Sequence, residues 1–482
     1  MYNLFLIKYH MYIIGNLFVE NNKEKNIFLI VLSSIKLSNY NKFLIKSTVI
    51  INDTHIHQYK IKIDEKTEIK TKIKTKIKTK IKTKTEEKEI NEKIEDIKKK
   101  IKCNDTIPQL NNTSVYFVSC DGQNIKKYDR SNPTKVYNLK NDDDTDMWKK
   151  LSKDIEDDKN IHKYVIHLGD QVYMDDAHDE LIKSKTTNNE AIREAYYEVY
   201  KDNYNKIYKK KVLETAYNVM IGDDHDYIDN YKSVPNNLTP QMITNVEEMY
   251  KIFQEDLYGA KEHNIKHLLF KDFQLIIPDL RKYRQPVTDT TTEYPIMGQK
   301  QMTKFKNIIK KTSDKIKRTY YVSTIPLVGV NKTLDKIIGF IYGDKTLNID
   351  DYIQSKKYSE ERKYIIDQLF KLQNVTIIGG DYHYAEYYTF FRNNQQIKQI
   401  ITSPISSDPV SLGSPFYKKV LAWILIKLFY DRTIDDISIV KNWFVFDYNY
   451  LKITKEEATL CSYNEDNTKH IQMSDVECSC VI

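Results

Sequence analysis

The run Tyr164-Val-Ile-His-Leu168 is largely apolar and reads as a short buried strand; it stops at Gly169-Asp170, with Tyr173 three residues on. A glycine there lets the backbone turn sharply off the strand and close around an ion. The Asp170 carboxylate is then left at the strand's C-terminal edge, where open α/β sheets place their ligand sites. Taken alone, Gly-Asp is equally well an ordinary strand-to-loop turn. Three other strand ends carry residues of the same kind, and they change that balance.

These ends belong to an alternation of strands and helices that starts near Asn111. A strand over 114–119 ends at Cys120. Trp148, Leu151 and Ile155 share one face of a helix over 146–157, and 190–215 reads as one long Tyr- and Lys-rich helix without Gly or Pro. The strand over 216–221 runs into Gly222-Asp-Asp-His-Asp226. Met249, Ile252, Phe253 and Leu257 mark an amphipathic helix over 244–258. A strand over 273–277 ends at Asp279-Leu-Arg-Lys-Tyr-Arg284, and helices over 297–311 and 359–373 flank another over 320–323. The strand over 375–378 leads into Gly379-Gly-Asp-Tyr-His383. Strands over 386–391, 399–402 and 442–448 complete the set. Such alternation predicts a layered α/β domain with buried sheets.

The rest of the chain divides by composition. Residues 1–65 mix apolar patches with Asn and Lys and read as an extension, either poorly ordered or forming extra strands; Lys8, His10 and Asn16 interrupt the first patch, leaving it short of a spanning helix. No basic n-region or small-residue cleavage site marks a signal, so an intracellular, soluble protein is favoured while the compartment stays open. Residues 66–110 form a low-complexity linker built on a Lys-Ile-Lys-Thr repeat, the α/β domain covers 111–450, and 451–482 reads as a flexible tail. Lys70 to Lys84 holds eight lysines and no acid; with 75 basic and 67 acidic residues, that run accounts for the whole net charge of +8. A general nucleic-acid footprint is therefore not expected outside it, although the run itself suits anionic lipid or nucleic acid. Five scattered cysteines do not make a disulfide framework.

Cys120, Asp170 with Tyr173, Asp224 with His225, and Asp381 with His383 thus stand at four strand ends. Each is bland alone: a strand-end Cys is more often a small buried hydrophobe, and Asp-Asp-His-Asp can be a solvated turn. Four at one sheet edge suit hydrolysis of a phosphoester at a two-metal centre, which needs a bridging carboxylate, distinct ligands for each ion and a nearby His. Oxygen ligands suit calcium, magnesium or manganese; thiolate, phenolate and imidazole suit a transition metal such as iron.

Cys120, Gly169-Asp-Gln-Val-Tyr-Met-Asp-Asp176, Asp223-Asp-His-Asp226, Asp279-Leu-Arg-Lys-Tyr-Arg284, Gly380-Asp-Tyr-His383 and Thr402-Ser-Pro404 stand in the order of the motifs of PhoD-like phosphatases. The chain resembles that family, within the calcineurin-like metallophosphoesterase superfamily, over roughly 114–404. The resemblance implies a four-layer α/β/β/α sandwich. It also implies a metal centre in which Cys120, Asp170, Tyr173 and His383 hold iron(III), Asp170 bridges, and Asp224 and Asp381 hold a second ion such as calcium. His225 would face the scissile phosphate with Asp226 orienting its ring, and Arg281 and Arg284 would clamp a phosphate oxygen. Asp121 remains an alternative first-strand ligand, since the superfamily more broadly uses Asp there. The implied activity is hydrolysis of phosphomonoesters or phosphodiesters, of small molecules or lipids, by a metal-bound hydroxide. The rival reading is an inactive descendant of the fold that binds phosphorylated ligands or a protein.

Overall fold

The computed structural model describes residues 108–122, 147–233, 237–255, 265–286, 293–329, 355–407 and 432–473, with the backbone of six further strands and a few isolated positions. The Lys-Ile-Lys-Thr run falls outside the described residues.

In the N-terminal extension the backbone forms an antiparallel sheet of β1 (Tyr12–Asn21), β2 (Glu24–Ser33), β3 (Leu44–Ile51) and β4 (Thr54–Lys62), in the order β1-β2-β4-β3. The domain proper opens with β5 (Thr113–Val118), followed by a small hairpin of β6 (Lys127–Asp129) and β7 (Asn132–Tyr137). Helix α1 (Met147–Asp157) leads into β8 (His162–Leu168), the strand that began the sequence argument. Three helices follow, α2 (Asp175–Lys183), α3 (Asn189–Tyr204) and α4 (Ile207–Thr215), before β9 (Tyr217–Ile221) and α5 (Pro240–Tyr250). β5, β8 and β9 pair in parallel, as helical crossovers require.

The second half supplies β10 (Lys266–Leu269), β11 (Phe273–Ile277), α6 (Gly298–Lys311), β12 (Arg318–Val322), α7 (Lys356–Leu369) and β13 (Val375–Gly379). Antiparallel strands β14 (Ala385–Arg392), β15 (Gln395–Ile401), β16 (Thr433–Ile434) and β17 (Ile437–Val445) extend it to an eight-stranded sheet, β10-β11-β12-β13-β15-β14-β17-β16. The chain then returns as β18 (Asn449–Ile453), β19 (Glu457–Ser462) and β20 (Lys469–Gln472) to complete a six-stranded sheet, β20-β19-β18-β5-β8-β9.

The two sheets face each other through Phe117, Ile166 and Leu168 on one side and Leu275, Val322 and Ile378 on the other, all buried in one cluster. On the outer face of the smaller sheet, Met147, Trp148 and Leu151 of α1 cover Tyr116, Val118 and Val165. On the outer face of the larger, Phe305 of α6 and Ile365 and Ile366 of α7 cover Ile276, Tyr321 and Ile377. Helix, sheet, sheet, helix: the four-layer α/β/β/α sandwich expected from the resemblance is present.

Two expectations need correcting. The stretch 451–482 is no tail as far as Gln472, because Leu451, Ile453, Ala458 and Leu460 alternate inward from β18 and β19 onto the shared core. Nor is 190–215 one helix. Asn205 closes α3, and Lys206 is extended (ψ 130°) before α4 begins. The bend serves the buried amine of Lys209, which is held by Asp121, Asn203 and the Gln171 carbonyl beneath the site.

Candidate metal centre and active site

The C-terminal ends of β5, β8 and β9 on the six-stranded sheet meet that of β13 on the eight-stranded sheet, so the four strand ends expected at one sheet edge come from two facing sheets, and there the backbone leaves the strands abruptly. Cys120 (φ 56°), Asp170 (φ 53°), Asp381 (φ 69°) and His383 (φ 53°) all adopt left-handed conformations. For residues with a Cβ this costs on the order of 1–3 kcal/mol each, and such positions cluster at functional sites. Gly169 (φ 92°) makes the turn that precedes Asp170. A Cβ at this position would lie 2.4 Å from the Asp223 Cβ, so the two metal-side loops pack backbone against side chain here. Gly169→Ala is expected to destabilise the fold by about 2 kcal/mol or more, from both the strained φ and the overlap. Chemical denaturation against wild type checks this.

Three sets of donors converge. One donor atom from each of Cys120, Asp170 and His383 lies within 4.8 Å of the others, and so do those of Asp170, Asp224 and His225, and of Asp223, Asp224 and Asp381. The Tyr173 hydroxyl stands 3.0 Å from His383 Nε2 and 3.5 Å from Asp170 Oδ2. Cys120 Sγ lies among Ser119 Oγ (3.1 Å), Ser403 Oγ (3.0 Å) and Asp170 Oδ2 (3.5 Å). Burial, with the negative charge of Asp381, pushes the Cys120 thiol up to about 12. Burial also drives Asp170 well above the usual carboxyl range, with Cys120 adding to the effect. His383 is pushed down to about 4 by burial and by the charge of His225, so its imidazole is neutral and able to ligate. The buried Asp170 Oδ1 has no hydrogen-bond partner. An orphaned buried carboxylate oxygen is costly in a closed protein and ordinary beside a cation. The donors present therefore fit metal ions.

The structure separates the two candidates for the first strand. Cys120 faces the donor cluster, whereas Asp121 turns away. One of its oxygens pairs with Lys209 Nζ (2.6 Å), and the other accepts from the Ser406 hydroxyl. Lys209 is enclosed by the faces of Tyr204 (4.6 Å to the centroid) and Trp148 (5.3 Å), so Asp121 neutralises a buried cation.

His225 lies at the mouth, stacked at a tilt on Tyr173 with ring centroids 4.4 Å apart. Its Nδ1 bonds not to Asp226 but to Asp175 Oδ2 (2.7 Å). Burial alone would lower its pKa; Asp175 and Asp224 outweigh that and hold it well above the usual histidine range, as imidazolium. The expected orienting role of Asp226 is corrected by the same geometry. Its carboxylate accepts the amides of Asp170 (2.9 Å), Gln171 (3.0 Å), Val172 (3.2 Å) and Asp223 (2.9 Å), plus Gln254 Nε2 (2.7 Å). Asp226 thus ties the loop after β8 to the loop after β9. Gln254 reaches it from a π-helical turn, Lys251–Glu255, appended to α5, the kind of irregularity often found beside functional sites.

The expectation for Arg281 is corrected as well. Arg281 is fully buried, its guanidinium engaged with Asp223, with Asp224 Oδ1 (3.3 Å) and with Ser233 Oγ (3.4 Å). Arg284 donates to Ser233 Oγ (2.7 Å) and the Leu280 carbonyl (3.2 Å) and lies over the Tyr358 ring. Both guanidiniums hold protein groups; Arg281 also draws the Asp224 carboxyl down to about 2 against its burial, keeping it ionised.

Sequence reasoning assigned no role to Asp175, Asp223 or Gln254. Asp175 carried a faint signal, standing five residues after Asp170 in the same motif; a carboxylate placed one short turn beyond a metal-side aspartate can reach a neighbouring loop. Gln254 had none, because only the π-helical turn directs it inward.

Among curated proteins none matches the chain. A solved structure of PhoD resembles it with a TM-score of 0.48 at 13% identity, covering 76% of this chain and 70% of that one. A purple acid phosphatase, PPD1, from yellow lupin (Lupinus luteus) seeds gives a TM-score of 0.41 at 10% identity, covering 94% of this chain and 58% of that one. The sequence model of the PhoD-like phosphatases matches residues 146–423, more than half of the chain and all but the first of the strand ends described above; the protein is a member of the PhoD-like phosphatase family, a metallophosphoesterase that hydrolyses phosphoric esters.

Proposed function

We propose that the chain hydrolyses phosphomonoesters or phosphodiesters of small molecules at a dinuclear metal centre, with His225 delivering a proton to the departing ester oxygen. Cys120, Asp170, Tyr173 and His383 would hold one ion, and Asp170, Asp224 and Asp381 the other. The thiolate and phenolate favour iron(III) for the first; the carboxylates favour calcium, magnesium or manganese for the second. When bound, such a pair draws charge from the phosphoryl oxygens and makes hydroxide available at neutral pH.

The remaining work falls to side chains of this chain. Asp175 fixes the His225 ring through Nδ1, which leaves the Nε2 proton for the substrate. Neighbouring carboxylates keep that imidazole protonated, the form a proton donor needs. Asp226 keeps the two metal-side loops in register, and Arg281 keeps Asp224 ionised and holds both Asp223 and Asp224 in place. The observation that carries this reading is the pairing of His225 Nδ1 with Asp175 beside a cluster of buried donors whose Asp170 Oδ1 has no hydrogen-bond partner.

The test is hydrolysis of p-nitrophenyl phosphate and bis-p-nitrophenyl phosphate by the purified chain, wild type and His225→Ala, with metal content measured on both. His225→Ala is expected to lose about 10²–10⁴ in kcat while retaining its metal. Metal bound in wild type without turnover of either ester would instead favour a binding protein that keeps the fold. The better of the two esters begins to decide between monoester and diester.

A further inference from the structure

The segment that carries His225 is gripped from α2 by groups one turn apart. Asp175 pairs with His225 Nδ1 (2.7 Å) and accepts the Asp229 amide (2.8 Å). The Met174 amide donates to the His225 carbonyl (3.0 Å). Three residues beyond Asp175, His178 Nε2 bonds the Tyr227 carbonyl. Residues 225, 227 and 229 are thus each tied to one short helix.

The proton on His178 can be assigned by elimination. A carbonyl only accepts, so Nε2 carries the hydrogen. Nδ1 is then the acceptor for the Tyr196 hydroxyl of α3, 2.8 Å away. Tyr196 also meets the imidazole edge to face, at 5.0 Å and 69°. His178 is 1% exposed, and burial holds it below the usual histidine range, so it keeps the neutral form in which one nitrogen donates and the other accepts. A buried, doubly bonded histidine aimed at a main-chain carbonyl of the loop, outside the metal donors, has no role in the reaction described so far.

We infer that His178 is a positioning residue for the reaction: through the Tyr227 carbonyl, and with Tyr196 fixing its tautomer, it sets how far His225 reaches toward the departing ester oxygen. The inference rests on reading His225 as the proton donor. On the near side the loop is anchored by Asp226, and Asp224 Oδ2 accepts the Asn230 amide (2.7 Å). Those ties fix the metal-side carboxylate. The reach of the adjacent ring is fixed from the other side, by α2. Losing the His178 bond frees the Tyr227 peptide, and a displacement of about 1 Å at a reacting group costs on the order of 10²-fold.

The experiment compares phenyl and 2,4-dinitrophenyl esters of phosphate, as monoesters or methyl diesters according to which class wild type prefers. The full chain is loaded with the same metals in wild type, His178→Ala, His178→Gln, Tyr196→Phe and His225→Ala. Dinitrophenolate leaves without help, whereas phenolate needs a proton. His178→Ala is therefore expected to lose about 10–100-fold in kcat on the phenyl ester and under about 3-fold on the dinitrophenyl ester, with KM and metal content unchanged. Tyr196→Phe is expected to show the same selectivity more weakly. His178→Gln should recover most of the loss, since its amide can donate to Tyr227 and accept from Tyr196.

Equal losses on both esters in His178→Ala and His178→Gln, or loss of metal in both, would make His178 a structural residue only and overturn the inference. So would an undiminished rate on the phenyl ester. If the Ala variant does not fold, the Gln and Tyr196→Phe variants decide by the same ratio. His225→Ala separates the two levels. Should it show no preference for the better leaving group, the proton-donor reading fails; should it show one that the His178 and Tyr196 variants lack, only the inference about His178 fails.

Discussion

Asp170→Asn is expected to abolish turnover, by about 10³-fold or more in kcat/KM, roughly 4 kcal/mol of transition-state stabilisation. The substitution is nearly isosteric, and the Asp170 main chain stays tied to Asp226 through its amide and to Asp121 through its carbonyl. What changes is charge. Asp170 appears in two of the three converging donor sets, and its Oδ1 is buried without a protein partner. An amide there offers a neutral oxygen and a nitrogen that cannot ligate, so both proposed ions lose a carboxylate at once. Metal analysis of the purified variant is expected to show depletion alongside the lost rate, and dialysis of wild type against a chelator should reproduce the loss reversibly. The apo fold, relieved of a buried acid, is expected to be no less stable than wild-type apo protein. An Asp170→Asn variant with full metal content and undiminished turnover would exclude the centre proposed here.

The second large effect is on stability. Arg281→Met is expected to destabilise the chain by about 3–5 kcal/mol, because it leaves two buried carboxylates without their cation. The guanidinium is fully buried and pairs with both Asp223 and Asp224, so the substitution removes the compensation and not the charges. A surface clamp on substrate phosphate would behave differently, with a raised KM and an unchanged unfolding midpoint. Urea denaturation of the apo proteins together with steady-state kinetics distinguishes the two. Asp223→Asn combined with Arg281→Met is expected to recover part of the stability, since the partners couple strongly at this distance.

These two sites also mark how far the sequence carries. The order of strands and the residues at their ends were legible, because a buried parallel strand leaves a continuous apolar run and a catalytic loop leaves a break in it. The direction of side chains beyond that break was not. Asp226 follows His225 directly, yet its carboxylate turns back to four main-chain amides, and the carboxylate that meets the imidazole comes from Asp175, the first residue of α2. Periodicity fixes direction in strands and helices and says nothing inside a turn. Arg281 was misread for a related reason: one motif cannot reveal that a neighbouring loop supplies Asp223 and Asp224 as partners. The helix break at Lys206 is local and costs little in propensity terms, so only the tertiary demand of Lys209 for Asp121 exposes it. Strands β18 to β20 were passed over because short, partly polar alternation resembles a solvated tail until a parent sheet is available to pair with.

The left-handed backbone at Cys120, Asp170, Asp381 and His383 bears on whether a chain of this kind is an idle relic. At each of the four, glycine would relax the main chain by of order 1 kcal/mol. A descendant freed from binding metal would therefore gain folding stability by giving up these very side chains, and random substitution would offer that route at four separate codons. This chain has taken none of them. The fold bears the tension at the four points where we propose that a thiol, two carboxylates and an imidazole meet metal ions.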